Sequence, residues 1–585
     1  MGTQQSSGWD QEYDVIVVGS GGGGMTAALC AQAQGMTSVV IEKSDKYGGT
    51  SAVSGGGIWI PCNDDIARTG GSDSYEEALT YLKHVIGNEV PQSRIEAYLK
   101  NAPEMVRYMA RTFGIHYHNV PKYPDYYPNQ PGGKNGWRSM QPDAFDARLL
   151  GDEFGRQRES FKGTLLMGRI AMDQIDAHTL FSRGPGWVLL TLKLLLKYWL
   201  DFGWRRKTPR DRRQVLGQGM VAAMRYAMLQ RKVPLQLNTG LDMLIEEPSS
   251  SGGGRVVGVV VSQHGKRLRY RARRGVILAC GGFESNQQMR EQYLAKPTTV
   301  EWTAAPPINH GDGIRAGQAL GAALKHMDLV WGSPTVHKPG TAQQITLFVE
   351  RGMPGCVAVN KKGKRFVNEA AAYPDFRNAM YADHARGNGT VPCWLVFDAT
   401  FRYKYPMGIF LPGQIEPDSK LPTDWLDKVY FKADTLDALA AKISVDTAGL
   451  KDTVAKMNEY AKTGVDTEFH KGETAIDTYY SDPSVKPNTC LGPIVKPPFY
   501  AVPMYPGEIG TKGGLNTDER ARVLREDGSV IPGLYAVGNT SAAVMGPTYA
   551  GAGSTLGPAM TFAYVAARDI AAQAQAPADA VKAAA

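Results

Sequence analysis

YDVIVV (13–18) runs at once into Gly19-Ser20-Gly21-Gly22-Gly23-Gly24 and then into MTAALCAQAQG (25–35). The first block is apolar and β-branched, the second can only turn, and the third has the small, unbranched residues of a helix. A second apolar run, SVVIEK (38–43), follows and brings Glu42 to its end. Strand, glycine turn, helix, strand and acid stand at the spacing of a dinucleotide-binding βαβ unit. Gly19 permits the tight turn, and Gly21 lets backbone approach a pyrophosphate. Gly24 lets the helix pack close while its amides face the phosphates, with Gly22 and Gly23 in the same bare stretch. Glu42 is placed to accept hydrogen bonds from both ribose hydroxyls, with Lys43 beside it.

Downstream, Tyr47-Gly48-Gly49-Thr50-Ser51 and Ser54-Gly55-Gly56-Gly57 resemble the second glycine stretch of fumarate-reductase-like flavoproteins, which passes under a flavin. GVILACGGF (275–283), with Gly281, resembles the strand and turn that return to the nucleotide domain. GLYAVGN (533–539), with Gly538, resembles the strand that sets a polar side chain, here Asn539, near the ribityl chain. The resemblance implies FAD, not NAD. Residues 43–60 contain no His, the residue through which some of these flavoproteins attach FAD, so noncovalent FAD is expected. Because the pieces lie at both ends of the chain, the expected fold is α/β: a discontinuous Rossmann-like FAD-binding domain, 1–289 and 501–585, with an inserted α+β substrate domain, 290–500. Within that insertion Gly311-Asp312-Gly313 resembles the GDG turn of the superfamily. Residues 357–376 read as strands joined by an NG-like turn, and 436–463 as helical.

The end of the chain is more specific. MGPTYAGAGSTLGPAMTFAYVAA (545–567) is a small-residue loop feeding a helix. The helix N-terminus, with Gly553, Thr555 and Leu556, would face the flavin edge where reduced flavin gathers negative charge. Tyr549 to Pro558 resembles the C-terminal motif of 3-ketosteroid Δ1-dehydrogenases. So do Tyr126 in YPDYY (123–127), Tyr373 after Asn368-Glu369, and PGEIGTKGG (506–514). The match spans most of the chain apart from about 145–215. It implies that the Tyr549 phenol and the Gly553 N–H hold a steroid 3-keto oxygen, stabilising the enolate as an oxyanion hole does. By the same resemblance Tyr373 takes the C2 proton, Tyr126 assists its ionisation, and the C1 hydride goes to the flavin. A free phenol has a pKa of about 10, so such a base needs a polarised ketone beside it. Three alternatives stand beside it. A 3-ketosteroid Δ4-(5α)-dehydrogenase shares the flavin motifs but shifts the site of proton abstraction. A fumarate-reductase-like enzyme grips carboxylates with Arg and His, which 545–557 lacks, and an electron-transfer subunit would have no substrate of its own.

The chain has 585 residues, 43% apolar and 21% charged, enough for two or three domains and too apolar for a disordered chain. Six scattered cysteines show no metal-ligand spacing and fit a reducing cytoplasm. The N-terminus has no basic region followed by an apolar run, so no signal peptide is expected. The net charge of +8 is unevenly spread. Between 183 and 213 lie nine Lys and Arg against Asp201 and Asp211, which leaves +7 in one segment. That segment begins with an apolar helix pattern, Trp187 to Phe202, crossed by a narrow stripe of Lys193, Lys197 and Asp201. A Trp- and Tyr-flanked helix with a basic tail suits the membrane interface and is too charged to span. The expectation is a cytoplasmic enzyme held peripherally on the inner face of the cell membrane, suited to a lipid-soluble substrate and a quinone as electron acceptor. Interleaved polar contacts for nucleic acid are absent, and a buried or subunit-contact role for the helix is the competing reading.

Overall fold

The computed structural model describes residues 8–161, 164–248, 254–341 and 343–575; the first seven residues of the stretch read for a targeting signal lie outside these. Strand β1 (Gln11–Val18) lies within an eight-stranded sheet. Helix α1 (Gly22–Ala33) leaves its end, and β2 (Ser38–Ile41) returns to pair parallel with it, Val15 opposite Ser38 and Val18 opposite Ile41. On its other side β1 pairs parallel with β3 (Lys266–Leu278), and β3 with β4 (Val530–Ala536). One sheet therefore takes strands from both ends of the chain. Alternate residues of β1 feed different cores. Val15 and Val17 join α1 and the C-terminal helix Leu556–Gln575, while Ile16 and Val18 meet Leu244, Val256 and Val259 on the opposite face. A strand covered on both faces must be apolar throughout, which is what YDVIVV encodes.

A second, six-stranded sheet is antiparallel along its main path. Val330–Val336 pairs with Phe499–Thr511, which pairs in turn with Cys393–Phe397, and that with Cys356–Val359. Phe376, Met380, Leu395 and Phe397 pack its core. Phe499–Thr511 keeps its partners in this sheet along its length, so residue 500 is not a break in the structure. The helical reading of 436–463 resolves into Leu436–Ile443 and Thr447–Thr463. The expected hairpin in 357–376 does not form. Cys356–Val359 turns at Gly363 (φ +69), but the returning residues are drawn into a buried ion network instead of a strand. There Arg365 pairs with Glu369 (2.9 Å) and Asp466 (2.8 Å). Unpaired, those charges would be costly to bury, and satisfying them outweighs the strand propensity of the segment.

The amphipathic segment contains the helix Trp187–Trp199. Leu194 and Tyr198 pack inward on Ile170 and Met172, while Val188, Leu189, Leu192, Leu196 and Trp199 are each more than half exposed. Lys193 and Lys197 lie on that same outward face, so the stripe runs through the exposed apolar surface. Asp201 is paired with Arg212 at 3.0 Å. Among the described residues no helix is long and apolar enough to cross a membrane.

Candidate active site

The turn after β1 closes tightly. Gly19 has φ +105, and a Cβ there would strike the Ala279 carbonyl; one on Gly24 would strike the carbonyl of Gly19. Only glycine fits either position. Helix α1 begins after Gly21, which offers no side-chain cap, and the Gly22 N–H donates to Ser51 Oγ at 2.9 Å. Gly23 lies where the C-terminal helix crosses, its Cβ position 3.3 Å from the Ala559 carbonyl, and Leu556 covers Gly22. A glycine-lined helix N-terminus with no side chains over it fits a pyrophosphate, since its N–H groups and the helix dipole both favour an anion.

Glu42 is buried, and its carboxylate accepts from Ser20 N–H (3.1 Å), Ser20 Oγ (2.6 Å) and Ser44 N–H (3.0 Å). The acid read as a ribose acceptor thus also braces the glycine turn. Lys43 pairs with Asp312 of the Gly311–Gly313 turn. Gly48 (φ +107) and Gly49 (φ +52) open a short helical turn in which Thr50 Oγ1 accepts from Asn309 Nδ2 at 2.9 Å. Ser54 Oγ donates to the Ser51 carbonyl at 2.8 Å and accepts from the Gly56 N–H at 3.0 Å, with Gly55 between them. Gly281 (φ +78) abuts Asn309, and Gly538 (φ +62) precedes Asn539, whose Oδ1 accepts from Trp331 Nε1 at 2.9 Å. Trp331, Asn539, Ser554 and Thr555 line one small cleft. The sequence reading missed Trp331, which carries no motif.

Three tyrosines distant in sequence meet beside this cleft. Tyr126 OH donates to Tyr373 OH at 2.9 Å across 247 residues of chain. The Tyr549 ring centroid lies 5.1 Å from that of Tyr126 and 5.5 Å from that of Tyr373. Trp331 packs on Tyr549 at 4.9 Å, and Thr555 Oγ1 donates to Tyr549 OH at 3.2 Å. All three tyrosines are buried, and burial pushes their phenols above the ordinary tyrosine range. Each is therefore neutral until a neighbouring donor stabilises its phenolate.

Their supports explain the placement. The Tyr126 N–H donates to the Ala550 carbonyl at 3.0 Å, tying its loop to that of Tyr549. Asp125 beside it accepts from Trp59 Nε1 (2.7 Å) and Arg138 (2.8 Å), a pairing that sequence spacing does not reveal. Tyr373 opens the helix Tyr373–Asp383 with Pro374 in the first turn, a position that suits proline. Tyr127 OH donates to Asp375 of that helix at 3.0 Å, linking the first two tyrosine segments again. Gly553 has φ +101, and a Cβ there would collide with Ile58 backbone, so its N–H stands without a side chain. Lys512, fully buried, donates to the carbonyls of Thr548 (2.6 Å) and Gly546 (3.1 Å), and desolvation pulls its ammonium down to about 7.

A pyrophosphate-shaped turn, a flavin-length run of glycines and a buried phenol cluster beside it define an FAD-dependent oxidoreductase, and residues 14–556 match the FAD binding domain family. The 3-oxosteroid 1-dehydrogenase of Mycobacterium tuberculosis is 44% identical over 570 residues, covering 96% of this chain and 99% of that one. The crystal structure of 3-ketosteroid Δ1-dehydrogenase from Sterolibacterium denitrificans with 1,4-androstadiene-3,17-dione matches with TM-score 0.94 at 53% identity, covering 96% of this chain and 100% of that one. The chain belongs to the 3-oxosteroid 1-dehydrogenase family. The 3-ketosteroid-Δ4-(5α)-dehydrogenase of Rhodococcus jostii shares the fold alone, with TM-score 0.64 at 21% identity, covering 97% of this chain and 99% of that one.

Proposed function

We propose that the chain introduces a 1,2 double bond into 3-ketosteroids through the roles assigned to its three tyrosines and Gly553. The observation that carries this reading is the junction of Tyr126, Tyr373 and Tyr549, with Gly553 next to Tyr549 at a position that admits no side chain. Tyr549 OH and the Gly553 N–H hold the C3 oxygen and stabilise the enolate. Tyr373 removes the C2 proton, and the Tyr126 hydroxyl donates to the phenolate that this requires. Noncovalent FAD, when bound by the residues named above, supplies the hydride acceptor. The surrounding rings keep water out, which strengthens every one of these interactions. We assign the substrate side to residues 290–511, inserted into a discontinuous FAD-binding domain formed by 1–289 and 512–585. Incubation with 4-androstene-3,17-dione and an artificial electron acceptor tests the reaction. A 1,4-diene is expected; a substrate returned unchanged, its C4–C5 bond already being unsaturated, would exclude Δ1 chemistry.

The exposed face of Trp187–Trp199 supports a second proposal, that the enzyme sits on a membrane surface and passes electrons to a quinone there. Lys193, Lys197, Arg206 and Lys207 are exposed and make no ion pair among the described residues, as an anionic headgroup layer would require. Flotation with vesicles of mixed neutral and anionic lipid tests it. Leu189→Glu with Leu196→Glu should leave the protein at the bottom of the gradient; unchanged flotation would show that this face is not the contact.

A further inference from the structure

A phenol that must give up its proton needs a positive charge nearby, and the groups around the Tyr373 hydroxyl do not carry one. Burial pushes this phenol above the ordinary range, and its neighbours Tyr126, Tyr123, Tyr480 and Tyr549 are phenols as well. Their hydroxyls can donate to a phenolate, but a cation would favour it more.

Arg351 stands behind this segment. It is 2% exposed and makes no ion pair among the described residues. Its guanidinium is held by backbone instead. Nε donates to the Leu347 carbonyl at 2.9 Å, and Nη1 donates to the carbonyls of Glu369 (2.5 Å) and Ala371 (2.7 Å). Ala371 is two residues before Tyr373, and the guanidinium lies over the Phe376 ring of the helix Tyr373–Asp383 at 5.3 Å. Phe348, from the same turn as Arg351, packs on the Tyr373 ring at 4.6 Å. Carbonyl dipoles hold a cation without cancelling its net charge, so its field reaches the buried side chains around it. Those side chains are Glu350 beside it, Tyr373 and Asp375 on the helix, and Tyr126 and Tyr123 from the facing loop. On the remaining side Lys471 Nζ donates to the Arg351 carbonyl at 3.5 Å. Burial pulls the guanidinium down only to about 10, so it stays charged through neutrality. Burial also pushes the Glu350 and Asp375 carboxyls upward, which weakens them as counter-charges.

We propose that Arg351 is a positioning residue for proton abstraction: its guanidinium fixes the chain that enters Tyr373, and its charge stabilises the Tyr373 phenolate. The inference rests on the reading of Tyr373 as the base. In that step the phenolate oxygen takes the proton from C2, the C–H electron pair becomes the C2–C3 π bond, and the C3 oxygen takes up the negative charge. The charge that Arg351 favours thus exists before the step and has moved to the ketone after it. Binding of the neutral ketone does not depend on that charge, so loss of Arg351 falls on kcat and spares KM.

Arg351→Gln keeps an N–H for the carbonyls and removes the charge, whereas Arg351→Lys keeps the charge. Both are assayed across pH with 4-androstene-3,17-dione and an artificial acceptor, per bound flavin, and again with the ketone deuterated at C2. In the Gln variant the rising limb of kcat/KM should move to higher pH by about one unit. At neutral pH this reads as about a tenfold loss carried by kcat, with KM within about twofold of wild type. The C2 deuterium isotope effect should grow, because proton abstraction slows against the other steps, and the Lys variant should recover most of the loss. A limb left in place, or equal losses in Gln and Lys, would make Arg351 a backbone support alone and overturn the assignment. If Arg351→Gln does not fold, Glu350→Gln reads the same field with the opposite sign, since it removes the adjacent anion. Its limb should move to lower pH, and an unmoved limb overturns the assignment as well. Full activity in Tyr373→Phe would instead remove the base reading. An inactive Tyr373→Phe beside an Arg351→Gln of wild-type activity removes only the role of Arg351.

Discussion

Replacing Tyr549 by Phe separates ring from hydroxyl. The ring is fixed by Trp331 at 4.9 Å, Tyr126 at 5.1 Å and Tyr373 at 5.5 Å, and Phe retains all three contacts. The hydroxyl accepts from Thr555 Oγ1 at a long 3.2 Å, with Tyr373 and the Gly553 N–H as its other polar neighbours. Losing such a bond costs about 1 kcal/mol of stability or less, so the variant should fold and keep its flavin. The reaction is affected far more. One of two donors to the developing oxyanion disappears, and removal of one such donor costs about a hundred- to a thousandfold in kcat. The Gly553 N–H remains, so activity should stay above background. The assay is kcat with an artificial acceptor at saturating ketone, normalised to bound flavin from its visible absorbance. A variant with full flavin and kcat within threefold of wild type would refute the oxyanion role of Tyr549.

Gly24→Val should purify with less than about a tenth of the wild-type flavin, because its Cβ would strike the Gly19 carbonyl; flavin absorbance per protein checks this. The pH–rate profile follows from Tyr373, whose phenol burial raises above its ordinary value. A base with a raised pKa has less phenolate at a given pH. The expected kcat/KM therefore climbs with pH through neutrality, approaching about tenfold per unit. Because the Tyr126 hydrogen bond favours the phenolate, Tyr126→Phe should move that limb to higher pH, and a flat profile in both proteins would count against this base. Arg365→Met should lower stability by about 3–5 kcal/mol, because Asp466 would stay buried without its cation and Glu369 would keep only Lys471 at 3.5 Å. Thermal melting reads this loss, while kcat per bound flavin should hold.

The legible parts of the molecule were local. Gly19 and Gly24 could be read because a tight turn and a helix crossing leave no room for a side chain, and that constraint falls on consecutive residues. Tyr126, Tyr373 and Tyr549 were found by likeness to a family, since no periodicity links residues hundreds of positions apart. Their supports escaped. Asp125 bonding Trp59, Lys512 under the Thr548 carbonyl and Trp331 against Tyr549 are tertiary pairings that leave no mark in adjacent sequence. In 357–376 the turn was read correctly but the returning strand was not, because a buried ion network decided that backbone. For the helix Trp187–Trp199 the residue types were plain, while the inward side, Leu194 and Tyr198, depended on a partner surface contributed by Ile170 and Met172.

β4 pairs with β3 across more than 250 residues of intervening chain, and its position governs when the flavin domain can exist. During synthesis β1, α1 and β2 emerge well before the strand that completes their sheet and the helix that covers it, which follow β2 by more than 480 residues. Until then the Val276–Leu278 end of β3 is an unpaired edge, its earlier residues being paired with Gly258–Gln263, and the α1 face lacks its cover. Such edges recruit other chains. The nascent protein therefore carries an open nucleotide half-site until that strand and helix emerge, and FAD capture waits for them. Loss of the last strand and helix would abolish cofactor binding even though every residue of the glycine turn is present.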